Sequence, residues 1–549
     1  MDERFLGFFE ESFKLNWDRP ALTDLEGATY LYKDFAKKIK ELHILFESMG
    51  VKPGNKISIC GKNSTHWAIS FFATVSYGAV VVTILHDFHA DSIQDIVNHS
   101  ESVVFFVDSV TKGKVKPESV KTVKHIIRIE DFSIVNTTDD KVIETNKNLN
   151  EIFEVKYPDG LKSDELGFHQ ESPEELAVLN YTSGTMSSPK GVMLPYRSLW
   201  SNTRFAVENI SFVKPGDGVV CMLPMAHMYG LAFEVLLSVA QGCHIHFLGR
   251  TPSPQILLKA FEKVKPTLVL AVPLIIEKIV RGKIFPELDK KPTSILLKLP
   301  ILKNIVYKKV REKLVGTFGG KLHQVVIGGA GLNSEVGDFL SKIGFPYSVG
   351  YGMTECGPLI SYEYWEKYKP GCCGKAVDRM QVKIDSSDPE NTVGEILVQG
   401  ANTMLGYYKN PEATKLVFTA DGWLRTGDLA TIDKDGYIFI KGRNKSMILG
   451  ANGQNIYPEE VEEKFNSEKY VLESLIVERN HKLEVIIVPE LETLEKENID
   501  KDRWAGIFGD ILETVNLRLP NYSKVVNFEL RDSEFDKTPK RSIRRFLYK

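Results

Sequence analysis

The residues from Tyr181 to Gly191 combine the chemical groups that hold a phosphate. This stretch, YTSGTMSSPKG, places two glycines and five serine or threonine hydroxyls around one lysine, Lys190. Glycine lets backbone N–H groups approach a phosphate, hydroxyls donate to its oxygens, and lysine supplies positive charge. The pattern predicts a phosphate-binding loop, although Ser/Gly-rich hairpin loops share this composition. It is not a Walker loop, because Pro189 stands where that motif requires a glycine.

Helix-like and strand-like patterns alternate along most of the chain, which favours an α/β fold. The loop follows one of the predicted strands, which lie at 56–60, 79–85, 102–107, 176–181, 218–222, 244–247, 268–272 and 324–327. Past residue 390, short strands separated by Gly and Asp/Asn turns predict a β-rich subdomain, which we set at about 370–444. The last hundred residues alternate helix and strand again, which predicts a small α+β unit.

The bulk composition is that of an ordinary globular protein. With 549 residues the chain is too long for one hydrophobic core, so at least two domains are expected. The formal net charge of −3 and the lack of a nucleic-acid motif predict no nucleic-acid partner. Six scattered cysteines without metal-type spacing, and an N-terminus that does not resemble a signal peptide, predict a cytoplasmic protein.

A set of short motifs in fixed order resembles a known superfamily. The chain is similar to the adenylate-forming superfamily of acyl-CoA synthetases, firefly luciferases and adenylation domains, and most similar to long-chain fatty acid–CoA ligases. After the phosphate-loop candidate, the motifs that carry the resemblance are LPMAHMYG (223–230), VIGGAGL (326–332), VGYGMTE (349–355), GEILVQG (394–400), GWLRTGD (422–428), KGRNKSMI (441–448) and NIYPEEVE (455–462).

The resemblance implies a site for ATP, Mg²⁺ and coenzyme A. It implies catalytic roles for Lys190, Thr185, Glu355 and His227, with Thr185 and Glu355 also binding Mg²⁺, a cation that prefers oxygen ligands. Adenine is expected along Gly329 and Ala330 and against Tyr351, and the ribose against Asp428 and Arg443. The full set of implied nucleotide and coenzyme A contacts is Thr182, Ser183, Gly184, Ser187, Gly191, Gly329, Ala330, Tyr351, Gly352, Thr354, Asp428, Arg443 and Gly453.

The resemblance also implies a two-step reaction and a moving C-terminal domain. A carboxylate attacks the α-phosphorus of ATP, and a thiol then displaces AMP from the acyl-adenylate. Relatives rotate their C-terminal domain between the steps about a residue that corresponds to Lys445. We therefore expect domains at 1–444 and 445–549, with His227 positioning the substrate rather than accepting a proton, since carboxylates are already ionised at pH 7.

Two departures from the superfamily concern the phosphate loop and the C-terminus. Met186 and Ser187 replace the usual hydroxyl and glycine. In DKTPKRSIRRFLYK, Ser542 stands where relatives place the lysine of the adenylation step, and Lys540 or Arg541 is the candidate replacement. This departure leaves a catalytically weakened acyl- or nucleotide-binding protein as an alternative to an enzyme.

The expected acyl pocket has an apolar border. The segment 225–233 and residues 349 and 350 contain no Lys or Arg that could pair with a second carboxylate. This favours a hydrophobic monocarboxylic acid, above all a medium- to long-chain fatty acid, with an aryl acid second. Coenzyme A is the expected thiol, and loading of a carrier protein is the alternative.

A basic segment suggests contact with a membrane surface. Between Arg281 and Lys313 there are ten Lys or Arg residues and three acids, interleaved with apolar residues. Such mixtures suit the surface of an anionic membrane, and here predict peripheral contact with the inner membrane face. The alternative is a helix packed on its own domain with a solvated basic face.

Overall fold

A computed structural model describes residues 4–182, 190–249, 253–288, 290, 299–449, 455–479, 482–537 and 543–548. The largest sheet has eight strands in the order β20-β9-β8-β4-β3-β5-β6-β7, and its central strands run parallel. Its strands are β3 (Lys56–Cys60), β4 (Val80–Ile84), β5 (Val104–Val107), β6 (His125–Arg128), β7 (Ile134–Asn136), β8 (Leu176–Thr182), β9 (Lys190–Pro195) and β20 (Gly406–Tyr407).

Two further mainly parallel sheets complete the large unit. One has the order β10-β11-β1-β2 and the other β12-β13-β14. Their strands are β1 (Pro20–Asp24), β2 (Thr29–Leu31), β10 (Gly218–Cys221), β11 (His244–Phe247), β12 (Leu268–Ala271), β13 (Gln324–Ile327) and β14 (Tyr347–Val349). Strands such as VVVTI of β4 are buried along their whole length, because helices cover both faces of the sheet.

Antiparallel strands follow β14 from Tyr351 onward. A hairpin sheet contains β15 (Tyr351–Gly352), β16 (Leu359–Tyr362) and β17 (Lys375–Ala376), and it is followed by a four-stranded sheet in the order β18-β19-β21-β22. The strands of this second sheet are β18 (Met380–Asp385), β19 (Gly394–Gly400), β21 (Leu424–Ile432) and β22 (Ile438–Arg443).

The C-terminal residues form a small α+β unit. Its sheet has the order β25-β26-β27, with β25 (Val471–Arg479), β26 (Lys482–Pro489) and β27 (Val525–Leu530), and a short pair is formed by β23 (Ile448–Leu449) and β24 (Asn455–Ile456). Apolar residues between Phe5 and Ile438 form one continuous core, whereas residues from Ile456 onward form two separate small cores. The mixed α/β architecture with a smaller C-terminal α+β part confirms the predicted fold class.

Helices connect the strands and cover the sheets. Their bounds are Phe5–Asn16, Tyr32–Ser48, Thr65–Ser76, Ala90–Ser100, Ser109–Lys114, Asp140–Lys147, Leu149–Lys156, Tyr196–Asn209, Met228–Gly230, Leu237–Ala240, Pro254–Val264, Pro273–Ile279, Phe285–Leu288, Pro300–Thr317, Ser334–Lys342, Pro411–Val417, Pro458–Asn466, Leu491–Lys496 and Trp504–Leu517. The segments Leu231–Leu236 and Val280–Ile284 are π-helical. Among the described residues, no helix combines the length and apolar character needed to cross a membrane.

Candidate active site

The predicted phosphate loop joins two antiparallel strands. Strand β8 ends at Thr182 and β9 begins at Lys190, and these two residues are paired, as are Tyr181 and Gly191. Strand β8 therefore ends, and β9 begins, at the carboxyl edge of the large sheet, the edge where α/β proteins bind ligands. The predicted site residues Ser183, Gly184, Thr185 and Ser187 lie outside the described residues.

Lys190 and Glu355 are brought together by an aromatic residue that the sequence analysis missed. The Lys190 Nζ lies 4.9 Å from the centre of the Tyr407 ring, and the Tyr407 hydroxyl donates to Glu355 Oε1 at 2.9 Å. Burial and the nearby Glu355 carboxylate raise the pKa of Tyr407, so its hydroxyl keeps its proton. No local sequence signal marks Tyr407, because its place depends on the pairing of strand β20 with β9, the strand that begins at Lys190.

Asp428 forms the centre of a second group with Tyr351 and Arg443. Tyr351 donates its hydroxyl proton to Asp428 Oδ2 at 2.7 Å, and Arg443 Nε lies 3.1 Å from Asp428 Oδ1. Asp428 and Arg443 are far apart in the sequence but meet because they face each other in the antiparallel pair of β21 and β22. Burial raises the pKa of Asp428 and the Arg443 charge opposes that shift, while Glu355 is close enough to add to it. The group around Glu355 and the group around Asp428 are therefore close enough to interact electrostatically.

The loop after β13 presents open backbone beside these groups. Gly329 has a φ of +88°, and the space around its Cα is almost empty, since only a Val272 methyl would come within 3.9 Å of a Cβ. Gly329 and Ala330 are both exposed. A flat base needs such a surface free of side chains. Gly352 is required for another reason, because a Cβ there would collide with the Pro358 carbonyl oxygen.

Thr354 and His227 lie in short turns that follow strands of two different sheets. Thr354 is buried at the start of the 3₁₀ turn Thr354–Cys356, which also carries Glu355. His227 is half-buried and precedes the helical turn Met228–Gly230. Asn180 on β8 donates to the Ala226 carbonyl at 2.7 Å, so the His227 segment is tied to the strand that leads into the phosphate loop.

The residues predicted around the C-terminal part are only partly described. Gly453, Lys540, Arg541 and Ser542 lie outside the described residues. An antiparallel bridge between Lys537 and Ile543 marks the two ends of the segment that contains the last three. Beyond it, Arg545 donates to the buried Glu462 carboxylate.

The described side chains fit an Mg²⁺ ion that is bound partly by the protein and partly by the phosphates of a bound nucleotide. No cluster of three or more His, Cys, Asp or Glu side chains occurs in the part of the chain that the structure covers. Mg²⁺ is commonly held by one or two carboxylates together with phosphate oxygens of a bound nucleotide. Glu355, which accepts from Tyr407, is the predicted carboxylate for that kind of binding.

Solved structures define the class of the fold. The anthranilate–CoA ligase AuaEII in complex with anthranoyl-AMP superposes with a TM-score of 0.79 at 18% identity, covering 99% of this chain and 96% of that one. ATP-bound MatB from Rhodopseudomonas palustris gives a TM-score of 0.76 at 19% identity, covering 100% and 98%. The fold is therefore that of adenylate-forming enzymes.

Sequence comparison then assigns the family. Residues 9–408 match the model of the AMP-binding enzyme family, and the chain belongs to that family. The long-chain-fatty-acid–CoA ligase FadD15 of Mycobacterium bovis is 28% identical over 80% of this chain and 74% of its own length. Long-chain-fatty-acid–CoA ligase 4 of Saccharomyces cerevisiae is 29% identical over 86% and 74%.

Proposed function

We propose that this protein activates a long-chain fatty acid with ATP and transfers the acyl group to coenzyme A. The observation that carries the proposal is the contact chain Lys190–Tyr407–Glu355 at the base of the phosphate-loop hairpin, beside the buried Asp428. A lysine and two acids in one region support a site that needs a cation for phosphate, a carboxylate for Mg²⁺ and an acceptor for the ribose hydroxyls. Curated relatives from bacteria and yeast named as long-chain-fatty-acid–CoA ligases support the substrate class.

The first step of the proposed reaction forms an acyl-adenylate. A fatty acid carboxylate oxygen bonds to the α-phosphorus of ATP, and the bond from that phosphorus to the pyrophosphate oxygen breaks. Lys190 and Thr354 stabilise the negative charge that develops on the phosphoryl oxygens. Mg²⁺, when bound, supplies further charge neutralisation, with Glu355 and Thr185 as its protein ligands. His227 orients the carboxylate, which needs no deprotonation.

The second step forms the thioester. The coenzyme A sulfur, having lost its proton, attacks the acyl carbonyl carbon, and the bond between that carbon and the AMP oxygen breaks. The proposal includes domains at 1–444 and 445–549 that reorient about Lys445 between the steps, with Gly453 beside the pantetheine arm. It is supported by the separate hydrophobic cores on either side of this boundary.

The preference for a long apolar acid rests on the side chains of the segment after β10, which is proposed to border the acyl pocket. Met225, Ala226, Met228 and Phe233 are buried and apolar, and the half-buried Tyr229 uses its hydroxyl on the Val326 carbonyl at 3.0 Å. None of these side chains carries a charge for a second carboxylate. An aryl acid is the second candidate substrate on the same observation.

Peripheral membrane contact is part of the proposal and involves the helix Pro300–Thr317. Lys303, Lys308 and Lys309 are exposed on it, as is Ile305, which is 49% exposed. Other cations of the basic segment bind groups of the protein itself. Lys313 forms an ion pair with Glu287, and Arg281 forms an ion pair with Glu335 and donates to the Asn466 carbonyl. The membrane-facing part is therefore narrower than the whole segment 281–313.

One assay separates the possible functions. The purified protein is incubated with ATP, Mg²⁺ and acids of increasing chain length or with aryl acids, and pyrophosphate and acyl-CoA are measured with and without coenzyme A. We expect both products, with the highest kcat/KM for long-chain fatty acids. Pyrophosphate release without acyl-CoA formation indicates a carrier-loading ligase, and no release with any acid indicates a binding protein.

A further inference from the structure

The backbone from Met222 to Ala226, just before His227, is held by three side chains from three different parts of the chain. Glu234 Oε2 accepts from the N–H groups of Met222 and Leu223, at 3.1 and 2.9 Å. Asn63 donates to the Leu223 carbonyl at 2.6 Å and accepts from the Met225 N–H at 2.9 Å. Asn180 donates to the Ala226 carbonyl at 2.7 Å. The segment before His227 is therefore fixed on both sides.

Glu234 is an unusual residue to find in this position. It is 1% exposed, lies in the π-helical segment Leu231–Leu236, and approaches no described cation within ion-pair distance. Its second oxygen, Oε1, is buried without a hydrogen-bond partner in the described part of the chain. π-Helical segments are often found at functional sites, and a buried acid without a cation costs stability unless it serves another purpose.

We infer that Glu234 is a positioning residue for the adenylation step, acting by holding the Met222–Leu223 backbone so that His227 meets the substrate correctly. The inference rests on the proposed function. Glu234 accepts from Met222 and Leu223 at the beginning of the short segment that follows β10, and His227 lies at the other end of this segment, directly before the helix beginning at Met228. A Cβ at Gly230 would come within 2.7 Å of the Pro224 carbonyl oxygen, so the segment before His227 packs closely against the helical turn that follows it.

The protonation of Glu234 fits this role. Burial raises the pKa of Glu234 to about 8, while the two backbone N–H groups and the Cys221 thiol oppose the shift. The neutral acid can carry its proton on Oε1 and still accept both N–H groups on Oε2. Glutamine reproduces this arrangement almost atom for atom, because its amide oxygen accepts and its NH₂ replaces the protonated oxygen.

The test measures kcat and KM for pyrophosphate release with ATP and the best fatty acid. We expect Glu234→Leu to lower kcat about 10- to 100-fold, the size expected for a small misplacement of a reacting group, with the KM for ATP changed less than threefold. Glu234→Gln is expected to restore most of the rate. Ser238→Ala, one turn further along the same buried helix, is the matched control and should retain wild-type kinetics.

A double-mutant cycle with His227→Ala distinguishes positioning from general support of the fold. If Glu234 acts through His227, Glu234→Leu should lower kcat less than about threefold in the His227→Ala background. Independent, multiplying effects, or a Glu234→Leu enzyme with wild-type kcat, would overturn the inference. Should Glu234→Leu fail to fold, Glu234→Asp, which withdraws the carboxyl by one methylene, tests the same expectation. Inactivity of the wild-type protein would instead count against the proposed function.

Discussion

At the scale of single residues, two buried tyrosines hold the two carboxylates of the candidate site. Tyr407 donates to Glu355 and Tyr351 donates to Asp428, and burial raises the pKa of both hydroxyls. Each phenol therefore remains a donor across the physiological pH range. Because a carboxylate accepts such a bond without losing its charge, Glu355 and Asp428 are oriented but keep capacity for a cation or a ribose hydroxyl.

The charged pair at the phosphate loop gives the first prediction. Lys190→Ala and Glu355→Gln should each lower acyl-adenylate formation by two to three orders of magnitude, since one transition-state donor contributes about 3–4 kcal/mol. Isotope exchange between pyrophosphate and ATP measures this step. Lys37→Ala is the matched control, because Lys37 also lies over an aromatic ring, that of Phe153 at 5.1 Å, outside every motif that carries the resemblance. Unchanged isotope exchange in both site variants would contradict the assignment of Lys190 and Glu355 to the adenylation site.

Tyr407 gives a prediction of a different kind. Tyr407→Phe keeps the ring under Lys190 and removes only the hydroxyl that orients Glu355, so the Mg²⁺ requirement should change more than the ATP requirement. We expect the Mg²⁺ concentration for half-maximal rate to rise about tenfold, the equivalent of one hydrogen bond to a charged group. Tyr408→Phe is the control, because that hydroxyl contacts Glu101 instead. An equal response of the two variants would contradict the positioning of Glu355 by Tyr407.

At the scale of elements, antiparallel pairing assembles the site from distant parts of the chain. β20 carries Tyr407 to β9, and β22 carries Arg443 to Asp428 on β21. The chain leaves β22 at Arg443 and turns at once, since the N–H groups of Ser446 and Met447 both donate to the Arg443 carbonyl. The proposed pivot, Lys445, therefore lies two residues after Arg443, which is predicted to contact the ribose.

Proline at the pivot tests the proposed movement. Lys445→Pro restricts φ at that residue and should leave one half-reaction active while blocking complete acyl-CoA synthesis. Pyrophosphate release in a single turnover reports the first half, and acyl-CoA formation from supplied acyl-adenylate reports the second. Lys434→Pro, in the exposed turn closed by the Gly436 N–H and the Asp433 carbonyl, should be tolerated. Equal loss of both halves would place the pivot elsewhere.

The helix Pro300–Thr317 predicts salt-sensitive membrane binding. Replacing Lys308 and Lys309 by Glu should weaken co-sedimentation with phosphatidylserine vesicles, because each cation near anionic headgroups contributes about 1 kcal/mol. The control replaces the exposed Lys141 and Lys147 by Glu, an identical change of net charge on another helix. Wild-type binding should fall between 50 mM and 500 mM salt. Equal effects of the two charge changes, or no binding at low salt, would leave a solvated basic face as the explanation.

At the scale of the whole molecule, the large core contains an acid that opposes stability at high pH. The pKa of Glu234 is raised to about 8 in the folded protein, against about 4.3 in an unfolded chain. The folded state therefore binds this proton more tightly, and stability falls as pH rises from about 4.5 to 8. The titratable groups around it, Cys221 and Tyr229, have pKa values raised by burial and stay neutral in this range.

Glutamine at position 234 should remove this pH dependence. We expect Glu234→Gln to melt a few degrees above the wild type at pH 8.5, since ~1 kcal/mol shifts the Tm of a large domain by about 2–4 °C, and the difference should shrink toward pH 5. Differential scanning calorimetry across this range is the measurement, with Ser238→Ala as control. Parallel Tm curves for wild type and Glu234→Gln would show that Glu234 titrates normally.

The sequence by itself determined the class of the fold and the family, because both depend on local signals. Alternating periodicity indicated an α/β protein, and the strands Lys56–Cys60 and Gln324–Ile327 lie where their patterns predict. The ordered motifs indicated the adenylate-forming superfamily, which the family match confirms. Such motifs are short, so the residues that define them are visible without knowledge of their partners.

Only the tertiary structure decided which side chains meet. Tyr407 lies more than two hundred residues after Lys190, and Asn63 more than one hundred and fifty before Leu223, yet strand pairing and sheet packing bring each pair into contact. In the sequence, Glu234 looks like any acid in an apolar helix. Only the structure shows that it is buried and accepts from two backbone N–H groups. Hydrogen bonds between distant segments depend on register and on the packing of the sheets, and neither leaves a mark in the local sequence.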